Sequence, residues 1–264
     1  MRRVALVTGG GRGIGRAIAE ALSREGLAVA VAARNREQVE ETARVLRGRG
    51  PSAMAIALDV GDAEAVAVAV AAVASTLGPV DVLVNNAGIA ESAPLARTEL
   101  DLWERHLRVN ATGPYLLSRA VVPGMLERGW GRVINVASVA GLEGAAYVTA
   151  YTASKHALVG FTRALAAEVA GKGVTANALC PGFAATELVW ASARNIVAKT
   201  GKSFEDAVQT LARFNAGGRL VQPEEVAAAA VALLADDARN GDAIVIDGRT
   251  EAPAAVPVQE GRHA

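Results

Sequence analysis

Cysteine is almost absent from this chain of 264 residues, and the charges of its side chains cancel. The one cysteine, Cys180, excludes an internal disulfide and predicts a reducing, cytoplasmic location. Lysine plus arginine equals aspartate plus glutamate, at 27 each. This balance gives no electrostatic reason to expect a nucleic acid or an anionic membrane surface as a partner.

Long apolar runs and clusters of metal-binding side chains are also missing. The alanine- and valine-rich stretches carry charge and stop short of the ~20 residues that a membrane span needs. The opening MRRVALVTGG is too short in apolar residues to predict a signal peptide. His106, His156 and His263 are scattered, and no carboxylates stand at ligand spacing, so the sequence predicts no metal site.

What the sequence does have is a regular alternation of β-branched runs and helical stretches. Continuous apolar strands that alternate with helices predict an α/β Rossmann fold, with a doubly wound, seven-stranded parallel sheet covered on both faces. The predicted strands are 3–10, 28–34, 53–60, 80–88, 131–138, 174–182 and 242–247. The predicted helices are 14–26, 36–50, 62–77, 99–128, the stretch that carries YTASK, and 222–235.

The chain shows no linker that would divide it. We therefore predict one domain over residues 1–250 and a tail over 251–264, which has two prolines and no periodicity. Within the domain, residues 183–216 interrupt the alternation with two short helical patterns, 187–199 and 203–213. An insertion of this size is typical of a substrate lid. Trp190 is expected either to pack within this lid or to form a wall of the substrate pocket.

The first strand runs into a glycine-rich turn, TGGGRGIG, and then into a helix. Gly9, Gly13 and Gly15 allow a tight turn in which backbone N–H groups approach a pyrophosphate at the helix N-terminus. The spacing is G-x-x-x-G-x-G rather than the commoner G-x-G-x-x-G. A tight turn that binds no ligand is the structural alternative.

The pentapeptide YTASK places Tyr151 and Lys155 four residues apart. On a helix this spacing stacks the two side chains on one face, one turn apart. A phenol beside an ammonium is a poor structural pair unless the proton is used. His156 points about 100° around the helix from Lys155, so it is expected at a surface or a subunit contact. Cys180 is expected to pack as a small apolar residue.

Several such motifs occur in one order along the chain. They are TGGGRGIG, Asp59-Val60, NNAG at 85–88, Asn110, Ser138, YTASK and PGFAAT at 181–186. Together they resemble the short-chain dehydrogenase/reductase family from about residue 3 to residue 250. The strings SKHALVGFTRALA, NALCPGF and GRLVQPEEVA are similar to the branch that holds 3-oxoacyl-thioester reductases, polyketide ketoreductases and 3-hydroxybutyrate dehydrogenases.

The resemblance implies a role for each member of the catalytic set. Tyr151 is expected to act as the general acid on the ketone oxygen, and Ser138 to donate a hydrogen bond to that oxygen. Lys155, with the positive nicotinamide of the oxidised complex, is expected to lower the pKa of Tyr151, and Lys155 is also expected to hold the nicotinamide ribose. Asn110 is expected to support a water that relays protons to Lys155, the alternative being a helix-kinking or capping residue.

The resemblance also implies cofactor contacts along the carboxyl edge of the sheet. Asp59 and Val60 are expected at the adenine, Asn86 to Gly88 at the adenosine ribose, and Gly182 and Thr186 at the nicotinamide. The residues expected at the cofactor are Gly9, Arg12, Gly13, Ile14, Gly15, Arg34, Asp59, Val60, Asn86, Ala87, Gly88, Tyr151, Lys155, Pro181, Gly182 and Thr186.

The end of the second strand indicates which cofactor is used. An NAD-selective site carries an acid about twenty residues past the glycine loop. Here Ala33 and Arg34 occupy that place, and Glu37 falls in the first turn of the next helix, where it favours the helix dipole. The guanidinium of Arg34, with Arg12 nearby, suits a 2′-phosphate. NADP(H) is therefore predicted over NAD(H), the alternative being that Arg34 is only a solvated charge.

These features predict a hydride-transferring oxidoreductase that acts on a ketone or secondary alcohol. The first expectation for the substrate is a 3-oxoacyl thioester, carried by coenzyme A or an acyl carrier protein. A free 3-hydroxy acid or a cyclic alcohol is the alternative within this class, and a non-catalytic NADP(H)-sensing protein is the alternative outside it. The resemblance also implies a homotetramer, in which the helices that carry Asn110 and Tyr151 pair with those of other copies.

Overall fold

Seven parallel strands lie side by side in one sheet, in the order β3-β2-β1-β4-β5-β6-β7. The computed structural model describes residues 2–50 and 52–249, together with the backbone of residues 255–256. The strands are β1 (Val4–Thr8), β2 (Ala28–Ala33), β3 (Ala53–Ala57), β4 (Val80–Asn85), β5 (Gly131–Val136), β6 (Val174–Pro181) and β7 (Ala243–Ile246). This confirms the predicted α/β Rossmann fold with its parallel sheet.

The helices cover both faces of this sheet. They are α1 (Gly13–Arg24), α2 (Arg36–Arg47), α3 (Ala63–Thr76), α4 (Leu100–Leu107), α5 (Gly113–Glu127), α6 (Thr149–Val169), α7 (Glu187–Thr200), α8 (Phe204–Ala212) and α9 (Pro223–Ala235). Apolar residues of α1, α2 and α9 form the core on one face, and those of α3, α5 and α6 form the core on the other. β1 and β2 are buried on both faces, which explains their runs of Val, Ala and Leu.

The carboxyl ends of the strands place the predicted motifs on one edge. β1 lies between β2 and β4, so the strand order reverses there, and loops from both halves of the sheet diverge. A crevice outside the carboxyl ends of the strands at such a point is where doubly wound folds bind ligands. The glycine turn follows β1, NNAG follows β4 and Ser138 follows β5.

The prediction of a single helix over 99–128 was wrong in one respect. It is divided into α4 and α5 by a π-helical segment, Arg108–Thr112, which contains Asn110. The apolar periodicity continues through this segment, so the pattern gives no sign of the extra residue that a π-turn accommodates.

The segment predicted to form a lid, residues 183–216, contains the two predicted helices, α7 and α8, and is called the lid below. Its small core includes Val189, Ala193, Ala207 and Leu211, and it is separate from the two main cores. The predicted tail, 251–264, lies outside the described residues apart from the backbone of β8 (Ala255–Val256), which pairs antiparallel with β7. None of the helices in the described ranges is long and apolar enough to cross a membrane.

Candidate active site

The glycine turn after β1 has a backbone that only glycine tolerates. Gly9 and Gly13 have φ of +64° and +53°. A Cβ on Gly15 would lie 2.3 Å from the Gly9 carbonyl oxygen. Glycine is therefore required at these positions by the left-handed backbone and by the close approach of the two sides of the turn.

This turn leaves the N-terminus of α1 open toward the crevice. Arg12 is the N-cap and makes no capping hydrogen bond with its side chain, and the first turn of α1 contains no acidic residue. The first backbone N–H groups of a helix lack intrahelical partners, and the helix dipole favours an anion there. The arrangement fits the pyrophosphate of a dinucleotide.

The NNAG segment is tied to the glycine turn by Thr8, which the sequence reasoning did not single out. The Thr8 hydroxyl accepts hydrogen bonds from the backbone N–H groups of Asn86 and Ala87, both at 3.0 Å. The Asn86 side-chain amide donates to the Thr8 carbonyl oxygen at 2.9 Å. The only signal in the sequence was a threonine immediately before the glycines.

The far end of the crevice carries exposed positive charge. Arg34 follows β2, and Arg12 stands in the glycine turn; both are exposed. In residues 2–50 and 52–249, neither guanidinium forms an ion pair. Asn35 caps α2, and Glu37 lies in the first helical turn, as predicted. Two unpaired guanidinium groups and no acid at the strand end fit a ribose 2′-phosphate.

Asp59 and Val60 follow β3 and differ in exposure. Asp59 is exposed, and its carboxylate accepts from the Gly61 N–H at 2.9 Å, which fixes the turn. Val60 is buried. The second carboxylate oxygen of Asp59 has no hydrogen bond within the part of the chain that the structure describes.

Ser138, Tyr151 and Lys155 come together at the carboxyl end of β5. The Ser138 side chain lies near the Tyr151 phenol and acts to lower its pKa, and the Ser138 hydroxyl accepts a hydrogen bond from the Ala140 N–H at 3.1 Å. The Lys155 ammonium donates to the Val136 carbonyl oxygen at 2.9 Å and lies 5.8 Å from the centroid of the Tyr151 ring. The spacing and the resemblance predicted that these three side chains would lie close together.

The electrostatics of this set correct one expectation. Burial raises the pKa of Tyr151 above its usual 10, and the nearby Ser138 hydroxyl acts in the opposite direction without reversing the shift. The pKa of Tyr151 is therefore raised rather than lowered in the ligand-free site, and its lowering by Lys155 and the oxidised nicotinamide stays a prediction for the complex. Burial also lowers the pKa of Lys155 to about 8. A protonated phenol at neutral pH suits a general acid.

Asn110 is buried, and its side chain is fully engaged. Its carbonyl oxygen accepts from the Ile89 N–H, and its amide donates to the Ile89 carbonyl and to the Ser154 hydroxyl, each at 2.9 Å. The Ser154 hydroxyl in turn donates to the Tyr151 carbonyl oxygen at 2.7 Å. Asn110 thus joins the segment after NNAG to the helix of the YTASK motif.

The base of the lid closes the crevice on its other side. A Cβ on Gly13 would lie 3.2 Å from the Thr186 methyl, so the glycine turn and the start of α7 are close together. Pro181 ends β6, and the Gly182 N–H donates to the Ile246 carbonyl oxygen at 2.9 Å. Gly182 packs on Asn215, which the sequence reasoning missed and which binds both backbone groups of Phe183.

The histidines and the cysteine have different surroundings. His156 is exposed, as expected, whereas His106 is buried beside Tyr151. Cys180 is buried and packs among apolar residues, as predicted, and burial raises its pKa to about 11. Within the described ranges, no cluster of three or more His, Cys, Asp or Glu side chains has the arrangement of a metal site.

Comparison with known proteins shows a consistent set of relatives. The model of the short chain dehydrogenase family matches residues 3–196. An acetoacetyl-CoA reductase of Shinella zoogloeoides is 37% identical over 238 residues, which are 90% of this chain and 93% of that protein. A D-beta-hydroxybutyrate dehydrogenase of Cupriavidus necator is 36% identical over 239 residues, 90% of this chain and 93% of the other.

A solved structure agrees with these matches. A variant of actinorhodin polyketide ketoreductase, crystallised with NADPH, superposes with a TM-score of 0.89 at 39% sequence identity. The match covers 94% of this chain and 96% of that one.

Proposed function

The chain belongs to the short-chain dehydrogenase family, and we propose that it reduces the ketone of a 3-oxoacyl thioester with NADPH. The observation that carries the proposal is the complete set of Ser138, Tyr151 and Lys155 beside an open helix N-terminus. The hydroxyl, phenol and ammonium groups lie together at the carboxyl end of β5. A non-catalytic sensor has no need of this set.

The residues present fit NADP(H). The pyrophosphate is assigned to Gly13, Ile14 and Gly15 at the start of α1, and the 2′-phosphate to Arg12 and Arg34. The remaining contacts are those expected from the sequence: Gly9, Asp59, Val60, Asn86, Ala87, Gly88, Tyr151, Lys155, Pro181, Gly182 and Thr186. The bound cofactor supplies the hydride that the ketone carbon accepts.

The protein residues supply the proton and fix the substrate oxygen. The Tyr151 phenol, kept protonated by burial, donates its proton to the ketone oxygen as the C–H bond forms. Ser138 donates a hydrogen bond to the same oxygen and favours its developing negative charge. The Lys155 ammonium stabilises the phenolate that remains, which then regains a proton from solvent. Asn110 holds the YTASK helix and the segment after NNAG in fixed relative positions, through its bonds to Ser154 and Ile89.

The relatives favour a thioester as the first candidate substrate and a free acid as the second. One relative is an acetoacetyl-CoA reductase, whose named substrate is a 3-oxoacyl thioester, and another is a polyketide ketoreductase. The match to each spans nearly the whole chain. Coenzyme A or an acyl carrier protein would carry the thioester. The similarity to a hydroxybutyrate dehydrogenase favours the second candidate, a free 3-hydroxy acid.

We also propose a homotetramer in the cytoplasm. On α6, Ala157, Gly160 and Ala164 form an exposed row of small residues, and a Cβ on Gly160 would meet nothing within 4 Å. Small residues allow close helix contact between copies. Sedimentation that gives a monomer at micromolar concentration would refute the tetramer. The single, buried Cys180 agrees with a reducing compartment.

A substrate screen tests the proposed reaction. NADPH absorbance is followed with acetoacetyl-CoA, with a 3-oxoacyl group on an acyl carrier protein, with free acetoacetate and with cyclohexanone. We expect the highest kcat/KM with one of the thioesters. A higher value with free acetoacetate would favour the second candidate, and no reduction of any ketone would refute an enzymatic role on this substrate class.

A further inference from the structure

We propose that His106 is a positioning residue of this active site: it holds the backbone of residues 89–93 beside the general acid Tyr151. The inference rests on the proposed function, because that function makes Tyr151 the acid. It also places the 89–93 segment, which follows NNAG and is bound to Asn110 and Tyr147, at one wall of the substrate site. His106 lies on α4 and is fully buried. In the sequence His106 is only one of three scattered histidines.

Both ring nitrogens of His106 have backbone partners. Nε2 lies 3.1 Å from the Glu91 backbone nitrogen, and Nδ1 lies 2.8 Å from the Leu102 carbonyl oxygen. A backbone N–H only donates and a carbonyl only accepts, so Nε2 must be the unprotonated nitrogen and Nδ1 must carry the proton. The geometry thus selects the neutral imidazole in one tautomer.

The same ring touches Tyr151. The ring centroids of His106 and Tyr151 are 6.4 Å apart, with an interplanar angle of 78°. This is the edge-to-face arrangement that aromatic pairs prefer. The His106 side chain therefore contacts the phenol ring of the proposed acid and accepts a hydrogen bond from the 89–93 segment.

His106 provides the middle one of three anchors on alternate residues of the 89–93 segment. The Ile89 N–H donates to Asn110, the Glu91 N–H to His106, and the Ala93 N–H to the Tyr147 carbonyl oxygen at 2.8 Å. Tyr147 has φ of +67°, a strained value for a residue other than glycine. Two of these anchors, Asn110 and Tyr147, lie within the catalytic region or next to it.

The electrostatic surroundings of His106 also include a charged pair. Arg105, its neighbour on α4, forms an ion pair with the Glu91 carboxylate at 3.1 Å. The Glu91 backbone and side chain are thus held by consecutive residues of one helix. Since the ion pair is largely exposed, the buried His106 bond is expected to be the stronger constraint.

The test compares His106→Phe with His106→Gln. Phenylalanine keeps a ring beside Tyr151 and removes the acceptor for Glu91, whereas glutamine keeps an acceptor and removes the ring. We expect His106→Phe to raise the ketone KM about 10-fold, the effect of leaving one buried N–H unpaired, with kcat and NADPH affinity within about 3-fold of wild type. His106→Gln is expected to restore most of the KM. His156→Phe is the matched control, because exposed His156 makes the same contact with a carbonyl four residues earlier.

Amide hydrogen exchange at residues 89–93 gives a readout that does not depend on activity. Exchange in this segment is expected to accelerate in His106→Phe and to stay slow in His106→Gln and His156→Phe. Unchanged exchange and an unchanged KM in His106→Phe would overturn the inference. If His106→Phe does not fold, fast exchange of residues 89–93 in His106→Gln would overturn it. Accelerated exchange in His106→Phe, in a protein that reduces no ketone, would support the anchoring role and refute the proposed function alone.

Discussion

The Lys155 ammonium is buried one helical turn from Tyr151 and donates its hydrogen bond to the Val136 carbonyl, 5.8 Å from the centroid of the phenol ring. Burial lowers the pKa of this lysine to about 8. The charge that the proposed mechanism needs is therefore held in the folded protein at a cost in stability.

Lys155→Met is expected to stabilise the fold at pH 7 while abolishing most activity. Because the Lys155 pKa is about 8 when folded and about 10.5 when unfolded, the charged form opposes folding by about 3 kcal/mol below pH 8. Loss of the bond to Val136 offsets part of this gain. Denaturant unfolding of both proteins at pH 7 measures the difference.

The pH dependence provides the check on this prediction. Between pH 8 and 10.5 the unfolded wild type binds more protons at Lys155 than the folded one, so this residue makes stability rise with pH. Burial of Cys180 acts in the opposite direction above pH 9, but in both proteins. The stability advantage of Lys155→Met should hence shrink as pH rises; a constant advantage would contradict the assigned burial cost.

Deletion of lid residues 187–213, with a short glycine linker, is expected to leave a folded protein that binds NADPH. The lid has its own small core, and Asn215 already joins its two ends by binding Phe183 and the Arg219 carbonyl. The ketone KM should rise at least about 10-fold, because the lid forms one wall and excludes water. An unchanged KM would remove the lid from the site.

Much of the fold and of the site was predictable because each motif is local. A few consecutive residues are enough to identify the glycine turn, the Ser138 strand end and the YTASK helix. The alternation of strands and helices then places all three at one edge of the sheet. Strand and helix ends agreed within a few residues, since apolar periodicity reports burial directly.

The missed features depend on distant partners. His106 binds Glu91, fifteen residues away, and Asn215 binds Phe183 across the lid, and neither pair leaves a periodic trace in the sequence. The raised pKa of Tyr151 in the ligand-free site was also missed, because the sequence displays the neighbouring charge of Lys155 and not the depth of burial. The π-segment at Asn110 was hidden within continuous helical periodicity.

Cofactor preference is expected to follow the end of β2. Wild type should favour NADPH over NADH by at least about 10-fold in kcat/KM, a difference of ~1.4 kcal/mol. Replacing Ala33 by Asp together with Arg34→Ser should reverse the preference, because a carboxylate binds the ribose 2′-hydroxyl and repels a 2′-phosphate. Arg24→Ser removes an exposed charge at the far end of α1 and should leave the preference unchanged. Equal use of both cofactors by the wild type would contradict the assignment of Arg12 and Arg34.

The most direct test of the proposed catalysis is Tyr151→Phe, assayed by NADPH oxidation with the best ketone of the screen and by NADPH binding to the same sample. The substitution removes the proton donor and keeps the ring that packs on His106. Turnover is predicted to fall by about 10²–10⁴-fold while the NADPH dissociation constant stays within about 3-fold. Retention of more than about a tenth of wild-type turnover, with normal binding, would contradict Tyr151 as the general acid.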